Sequence, residues 1–355
     1  MELILRIRDY KYPLIITGLA ILIVITTLIS LSVGAVGIPL KEATIILLKN
    51  IGLFSHFPVD EVYEVVMNTI RLPRVIMTLL IGAALGISGA SLQGLFRNPL
   101  VEPGLIGVSG GSAAAVVIAI VFGSSMATTL PVWIYNSFIS IVAFGGGCLA
   151  TFFVLRLSIE GGRTNIAVLI LIGVAVNALT GALIGLAIFY ADENQISTFM
   201  FWTLGDLGGA TWDKLRMAAP LLLVSTVGLM FFSNTLNVLA LGEADAYHLG
   251  VNTEQVKRLV IFLAALAVGV SVSLAGIIGF IGLIVPHLIR TVFHADNSLV
   301  LPASAFGGAL LLLISDIISR TIVSPAELPI GVVTALIGAP FFIMLLYKAK
   351  QKREL

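Results

Sequence analysis

Apolar stretches long enough to cross a bilayer recur along this chain, separated by short polar breaks, and no other feature restricts its fold as strongly. A hydrocarbon core ~30 Å thick takes ~20 residues of helix. Inside it every backbone N–H and C=O must be satisfied within the protein, which leaves helices or closed barrels. The stretches here are continuous rather than alternating, so they predict helices. Ten are expected, over 13–33, 73–93, 99–123, 134–155, 166–189, 216–233, 259–278, 280–294, 302–322 and 330–347. The third is long, and the eighth is short and rich in Gly and Pro. The expected class is an all-α polytopic membrane protein, one transmembrane domain over residues 1–355. Residues 13–33 exceed a signal-peptide core and read as an uncleaved first span.

Only 11% of the residues are charged, and their placement orients the spans. An even number of spans puts both ends on one side. Thirteen Lys and Arg fall on that side, including Arg97, Arg156, Arg163, Lys257, Arg258 and Arg290, against seven on the other. The bias predicts cytoplasmic termini. The net charge of +1, with no basic cluster interleaved with aromatics, points away from nucleic acid and leaves the lipid bilayer as the surroundings. A single cysteine, Cys148, supplies neither a disulfide framework nor a metal knuckle.

Among the breaks, residues 239–258 form the longest densely polar one in the C-terminal two-thirds, on the cytoplasmic side. Gly242 is suited to open a short helix, Glu243 and Asp245 to sit at its positive end, and Gly250 to stop it. Ala244, Tyr247, His248 and Val251 would share one face. A capped helix with such a face is more than a connector needs, and it predicts a surface to be gripped. On the outer side, the run from Lys41 to Phe54 reads as a helix lying along the membrane. Phe199, Phe201, Trp202 and Trp212, in the second outer segment, read as interface anchors rather than substrate contacts.

A shift of 187 residues superposes Arg71 on Arg258, Leu72 on Leu259, Gly82 on Gly269, Gly89 on Gly276 and Pro99 on Pro286. Five spans separate the copies, so they would cross in opposite directions. That is an inverted repeat, spans 2–5 against 7–10, of the kind transporters use for two alternating gates.

The chemistry that is missing matters as much. No GxxxxGK[ST] loop is present and no lysine follows a glycine, so there is no nucleotide-binding domain of the Walker type, and any ATP is handled by a partner. An ion-coupled carrier would keep carboxylates at depth. Asp316 is a candidate, but Arg320 four residues on can pair with it along one helix face. Gly107-Val108-Ser109-Gly110-Gly111 matches G-x-S-x-G, and Gly86-Ile87-Ser88-Gly89 the shorter form of intramembrane serine proteases, with His287 a conceivable base. Small residues recur in membrane helices for packing reasons alone. No catalytic residue and no metal ligand is expected.

With these residues in view, the chain resembles the permease subunit of the ABC importers for iron chelates (ferric siderophore or haem) and vitamin B12. The stretches that carry the likeness are RLPR at 71–74, GASLQGLFRNPL at 89–100, EPGLIGV at 102–108, LALGE at 239–243, GFIGL at 279–283, PH at 286–287 and ELPIG at 327–331. They run in order over residues 65–347. The resemblance implies a dimer of permeases around a central pathway, with two cytoplasmic ATPase subunits that use ATP and Mg and an external binding protein, periplasmic or lipid-anchored. The membrane would be the bacterial inner membrane. It places ATPase coupling on Leu241, Gly242, Glu243, Ala244, Tyr247, Leu249 and Gly250. Binding-protein docking falls on Arg71, Arg74 and Arg320. The cytoplasmic gate falls between the fourth and fifth spans on Arg163, Thr164 and Asn165, where a comparable family member is richer in Ser and Thr. No cofactor is expected on the chain itself.

Overall fold

A computed structural model describes residues 2–53, 56–123, 131–293 and 295–354. The helices in chain order are α1 (Glu2–Ser32), α2 (Leu40–Asn50), α3 (Glu61–Val66), α4 (Leu72–Phe96), α5 (Val108–Phe122), α6 (Val132–Leu157), α7 (Ile166–Phe189), α8 (Glu193–Leu204), α9 (Trp212–Met230), α10 (Ser233–Leu241), α11 (Glu243–His248), α12 (Thr253–Ala275), α13 (Ile281–Phe293), α14 (Asn297–Thr321) and α15 (Ile330–Glu354). A π-helical turn, Met67–Arg71, joins α3 to α4 without a break. The described strands are β1 (Ile159–Glu160) and β2 (Arg163–Thr164), a two-stranded antiparallel pair between α6 and α7.

An apolar helix lies on each of the ten expected spans. Among the described residues six are long enough to cross a membrane unaided, and the bent pair α9 and α10 makes a seventh. Val108–Phe122, Ile281–Phe293 and Ile330–Met344 are shorter apolar helices. The third span is therefore not long. Pro103, in a 3-10 turn, and Gly107, at φ +85°, interrupt it, and its α-helix starts at Val108. The sixth is longer than expected, because after a 44° bend the helix resumes through Leu241. The helix α2 stops at Asn50, short of the expected end, and Phe54 lies outside the described residues.

The centre of the molecule is α4, which packs against α14, α12, α9 and α13. Its most apolar window is 78% buried, against 17% for α7. Lipid tails are as apolar as Leu, so helices in a membrane associate through close van der Waals fit between small residues. The glycines of α4 provide that fit. A Cβ on Gly86 would stand 2.1 Å from the carbonyl oxygen of Ser304 on α14, and one on Gly89 1.8 Å from that of Gly282 on α13.

The helices α4 and α12, on which the 187-residue shift falls, run in opposite directions. Arg74, at the start of α4, lies beside Gly208, while the Asp206 N–H donates to Ala275 O at the end of α12. Each is followed by an irregular break and then a short helix, α5 after α4 and α13 after α12. The outer aromatics divide. Phe201 is exposed, but Phe199 is buried and stacks on Trp202, which packs on the core. That pair is packing rather than interface anchoring, because α8 folds back onto α5 instead of lying free.

Candidate functional site

Two polar clusters lie at opposite ends of this bundle. At the end expected to be cytoplasmic, Gly242, at φ +140°, separates α10 from α11. Gly250, at φ +84°, closes α11: its N–H donates to Tyr247 O, and the Val251 N–H donates to Ala246 O. These two bonds make a Schellman cap, so α11 has fixed ends despite its six residues. Asn252 then caps α12 through the Gln255 N–H. Of α11 only Ala246 is buried, while Leu241, Ala244, Tyr247 and Leu249 face outward.

The segment expected to form the gate is a tight hairpin. Gly161 at φ +56° and Gly162 at φ +80° occupy its turn, the positive-φ pair that a two-residue connection of twisted strands requires. Arg163 is exposed. Asn165 caps α7, accepting from the N–H groups of Ala167 and Val168, and its Nδ2 donates to Glu160. Thr164 is buried, and α12 holds it: its N–H and hydroxyl donate to the two oxygens of Glu254, at 2.8 and 2.6 Å. Lys257, one turn further on and 4% exposed, donates to Thr164 O at 3.1 Å and to Glu243 Oε2 at 2.7 Å. Arg258 donates to Glu254 and to Gly162 O. Between α11 and the hairpin lies an open concavity of about 840 Å³. The structure thus brings the expected coupling and gate residues together through Glu254, Lys257 and Arg258, none of which the sequence places in either site. Their one local signal was the Glu254–Arg258 spacing, which places the two on one helix face.

At the opposite end, the expected outer one, stand Arg71, Arg74 and Arg320, none more than 7% exposed. Arg74 donates from Nε to Asp316 at 2.9 Å and grips both oxygens of Glu327 through Nη1 and Nη2, at 3.0 and 2.8 Å. Arg320 Nε lies 3.0 Å from the other oxygen of Asp316, an ion pair too bent for a hydrogen bond. The Nη2 of Arg320 donates to Ser30 O and Oγ, and its Nη1 to Val33 O. Arg71 donates to the carbonyls of Leu31 and Val36. Asp316 is fully buried between its two arginines, whereas the Glu327 side chain is 43% exposed. The expected docking arginines are therefore gathered at one place, with their hydrogen bonds made inside the chain.

The shorter serine motif has a structural use at Ser88. Ser88 is fully buried and its hydroxyl donates to Ala84 O at 2.5 Å within its own helix, while the buried Nδ1 of His287 has no hydrogen-bond partner. Among the described residues no group of His, Cys, Asp and Glu could hold a metal.

A bundle of apolar helices with a capped surface helix at one end and an arginine cluster at the other is the membrane subunit of a transporter. A model of the FecCD transport family matches residues 22–348, and the chain belongs to that family. It is 39% identical to the hemin transport system permease protein of Yersinia pestis over 336 residues, covering 95% of this chain and 96% of that protein. It is 40% identical to the cobalamin import system permease protein of Halobacterium salinarum over 291 residues (82% and 76%). It is 39% identical to the molybdate import system permease protein of Haemophilus influenzae over 343 residues (96% and 97%). Among solved structures, a metal-chelate type ABC transporter in an inward-facing conformation matches with TM-score 0.78 and 36% identity, over 95% of this chain and 99% of that one. The chain is a permease subunit of an ABC importer, a transport component whose ATP is hydrolysed by separate ATPase subunits.

Proposed function

We propose that this permease carries an iron chelate, haem or a ferric siderophore, from an external binding protein into the cytoplasm. The observation that carries this reading is the character of α7. It contains no charged residue, it runs from the gate hairpin to the outer aromatic segment, and most of its surface is uncovered by the rest of the chain. Paired with a second copy across that surface, α7 would line a wide, weakly polar route. Such a route suits a bulky, largely apolar chelate better than a small hydrated oxyanion.

In this reading both termini and the 239–258 loop are cytoplasmic, in a bacterial inner membrane. ATPase subunits grip Leu241, Gly242, Glu243, Ala244, Tyr247, Leu249 and Gly250, and the hairpin at Arg163, Thr164 and Asn165 is the inner gate. The binding protein docks at Arg71, Arg74 and Arg320, its carboxylates exchanging with Glu327 on Arg74. Nucleotide binding in the partners moves α11 as a rigid lever. The test is ATP-dependent uptake into proteoliposomes with the cognate ATPase and binding protein, offered haem, a ferric siderophore, cobalamin and molybdate separately. Uptake of haem or siderophore is expected. Uptake of cobalamin alone would assign the chain to corrinoid import, and uptake of molybdate alone would overturn the argument from α7.

A further inference from the structure

The tie between α11 and the hairpin has a consequence for how force crosses the inner face. We infer that Lys257 and Glu254, in the first turns of α12, are positioning residues that bind the coupling helix and the gate hairpin into one moving body. This rests on the coupling and gate reading above and adds to it the part that connects the two.

Lysine is almost never this buried unless paired, and a desolvated ammonium is tolerated only where acceptors surround it in good geometry. The acceptors of Lys257 come from two separate elements, Glu243 at the first residue of α11 and the Thr164 carbonyl of the hairpin. Moving either element alone would strand the charge. Glu254 repeats the constraint by taking both donors of Thr164.

Side-chain burial holds neither element firmly. In the hairpin turn and β2 only Thr164 is buried, with Gly161, Gly162 and Arg163 exposed, and in α11 only Ala246 is buried. Residues 249–252 join α11 to α12 along the chain, whereas the hairpin meets α12 through Thr164 and Gly162, so a push on α11 reaches the hairpin through Lys257 and Glu254. The concavity between them is the space such a body keeps as it moves.

The test uses the full complex of permease, ATPase and binding protein in proteoliposomes, in a Cys148→Ala background, with spin labels at exposed positions. One pair joins Arg163 to Tyr247, across the tie. The other joins Tyr247 to Arg97, at the inner end of α4. On ATP binding the 247–97 distance should shift while the 163–247 distance stays single and unchanged. If 163–247 shifts as much as 247–97, the tie is not rigid and the inference fails while the lever stands. If 247–97 does not respond to nucleotide, the lever itself fails. Lys257→Met should split the 163–247 distance and lower solute imported per ATP hydrolysed by at least about fivefold, the lower end of usual coupling strengths, and Lys257→Arg should retain both. Unchanged import per ATP in Lys257→Met would overturn the inference. Should that variant fail to assemble, Glu254→Gln, with the same two readouts, decides.

Discussion

Asp316 shows how far a single residue is determined by its neighbours. It is fully buried and lies against both Arg74 and Arg320, so removing its charge leaves two cations in a poorly solvated place. Breaking a buried pair from one side costs about 3–5 kcal/mol. Asp316→Ala should therefore lower the thermal stability of the purified permease sharply, measured by fluorescence-detected unfolding in detergent. Glu327 is different, since its side chain is half in solvent. Glu327→Gln should leave the fold intact and, by freeing the fork of Arg74, speed binding-protein association, with the gain greatest at low ionic strength where exposed charges are least screened. Charge reversal at Arg74 should slow association and, by setting a second carboxylate against buried Asp316, also lower the melting temperature. Spacing along one helix made the Asp316–Arg320 pair legible in the sequence. The meeting of Arg74 with Asp316 and Glu327 was not, because it depends on α4 lying against α14, and no local pattern encodes which helices become neighbours.

The same division holds for the elements. Apolar length placed the helices, and the turn chemistry of Gly242 and Gly250 is seen again in the geometry of α11. What escaped was where helices break or bend: the third span is cut by Pro103 and Gly107, and the sixth turns at its inner end and continues. Close helix contacts can be probed directly. Gly89→Ala places a methyl 1.8 Å from a backbone oxygen that cannot yield, whereas Gly181→Ala on α7 meets open space. The first should cost about 1–3 kcal/mol, as overpacking does, and the second should leave the melting temperature unchanged. Another junction responds to acid. Burial works against the charge of Asp296, but bonds from Ser298, Asn237 and Tyr12 more than offset it and hold its pKa below the ordinary 3.8. A carboxylate with a lowered folded pKa stabilises fully above its unfolded value and loses that contribution as pH falls through the folded one. The stability gap between wild type and Asp296→Asn should accordingly be constant above about pH 5 and close toward more acid conditions, as followed by unfolding across a pH series.

At the scale of the molecule, α4, α12 and α14 form a packed centre while α1, α6 and α7 leave broad apolar faces uncovered. In the proposed assembly a second copy meets the α7 face. Leu171, 70% exposed on α7, separates the two surroundings. A charge facing lipid costs about 2.5–3.5 kcal/mol on insertion scales, whereas one beside a watery route is tolerated. Leu171→Arg should accumulate in the membrane at wild-type levels and change uptake. Loss of the protein from the membrane would instead place that face against lipid.

Because Arg74 keeps Glu327 in its fork, any visiting carboxylate there meets a rival fastened to the same chain. A tethered competitor acts at a high local concentration whatever the abundance of the visitor. With a binding protein docked as proposed, this arrangement would favour a partner that lands, unloads and leaves over one that stays.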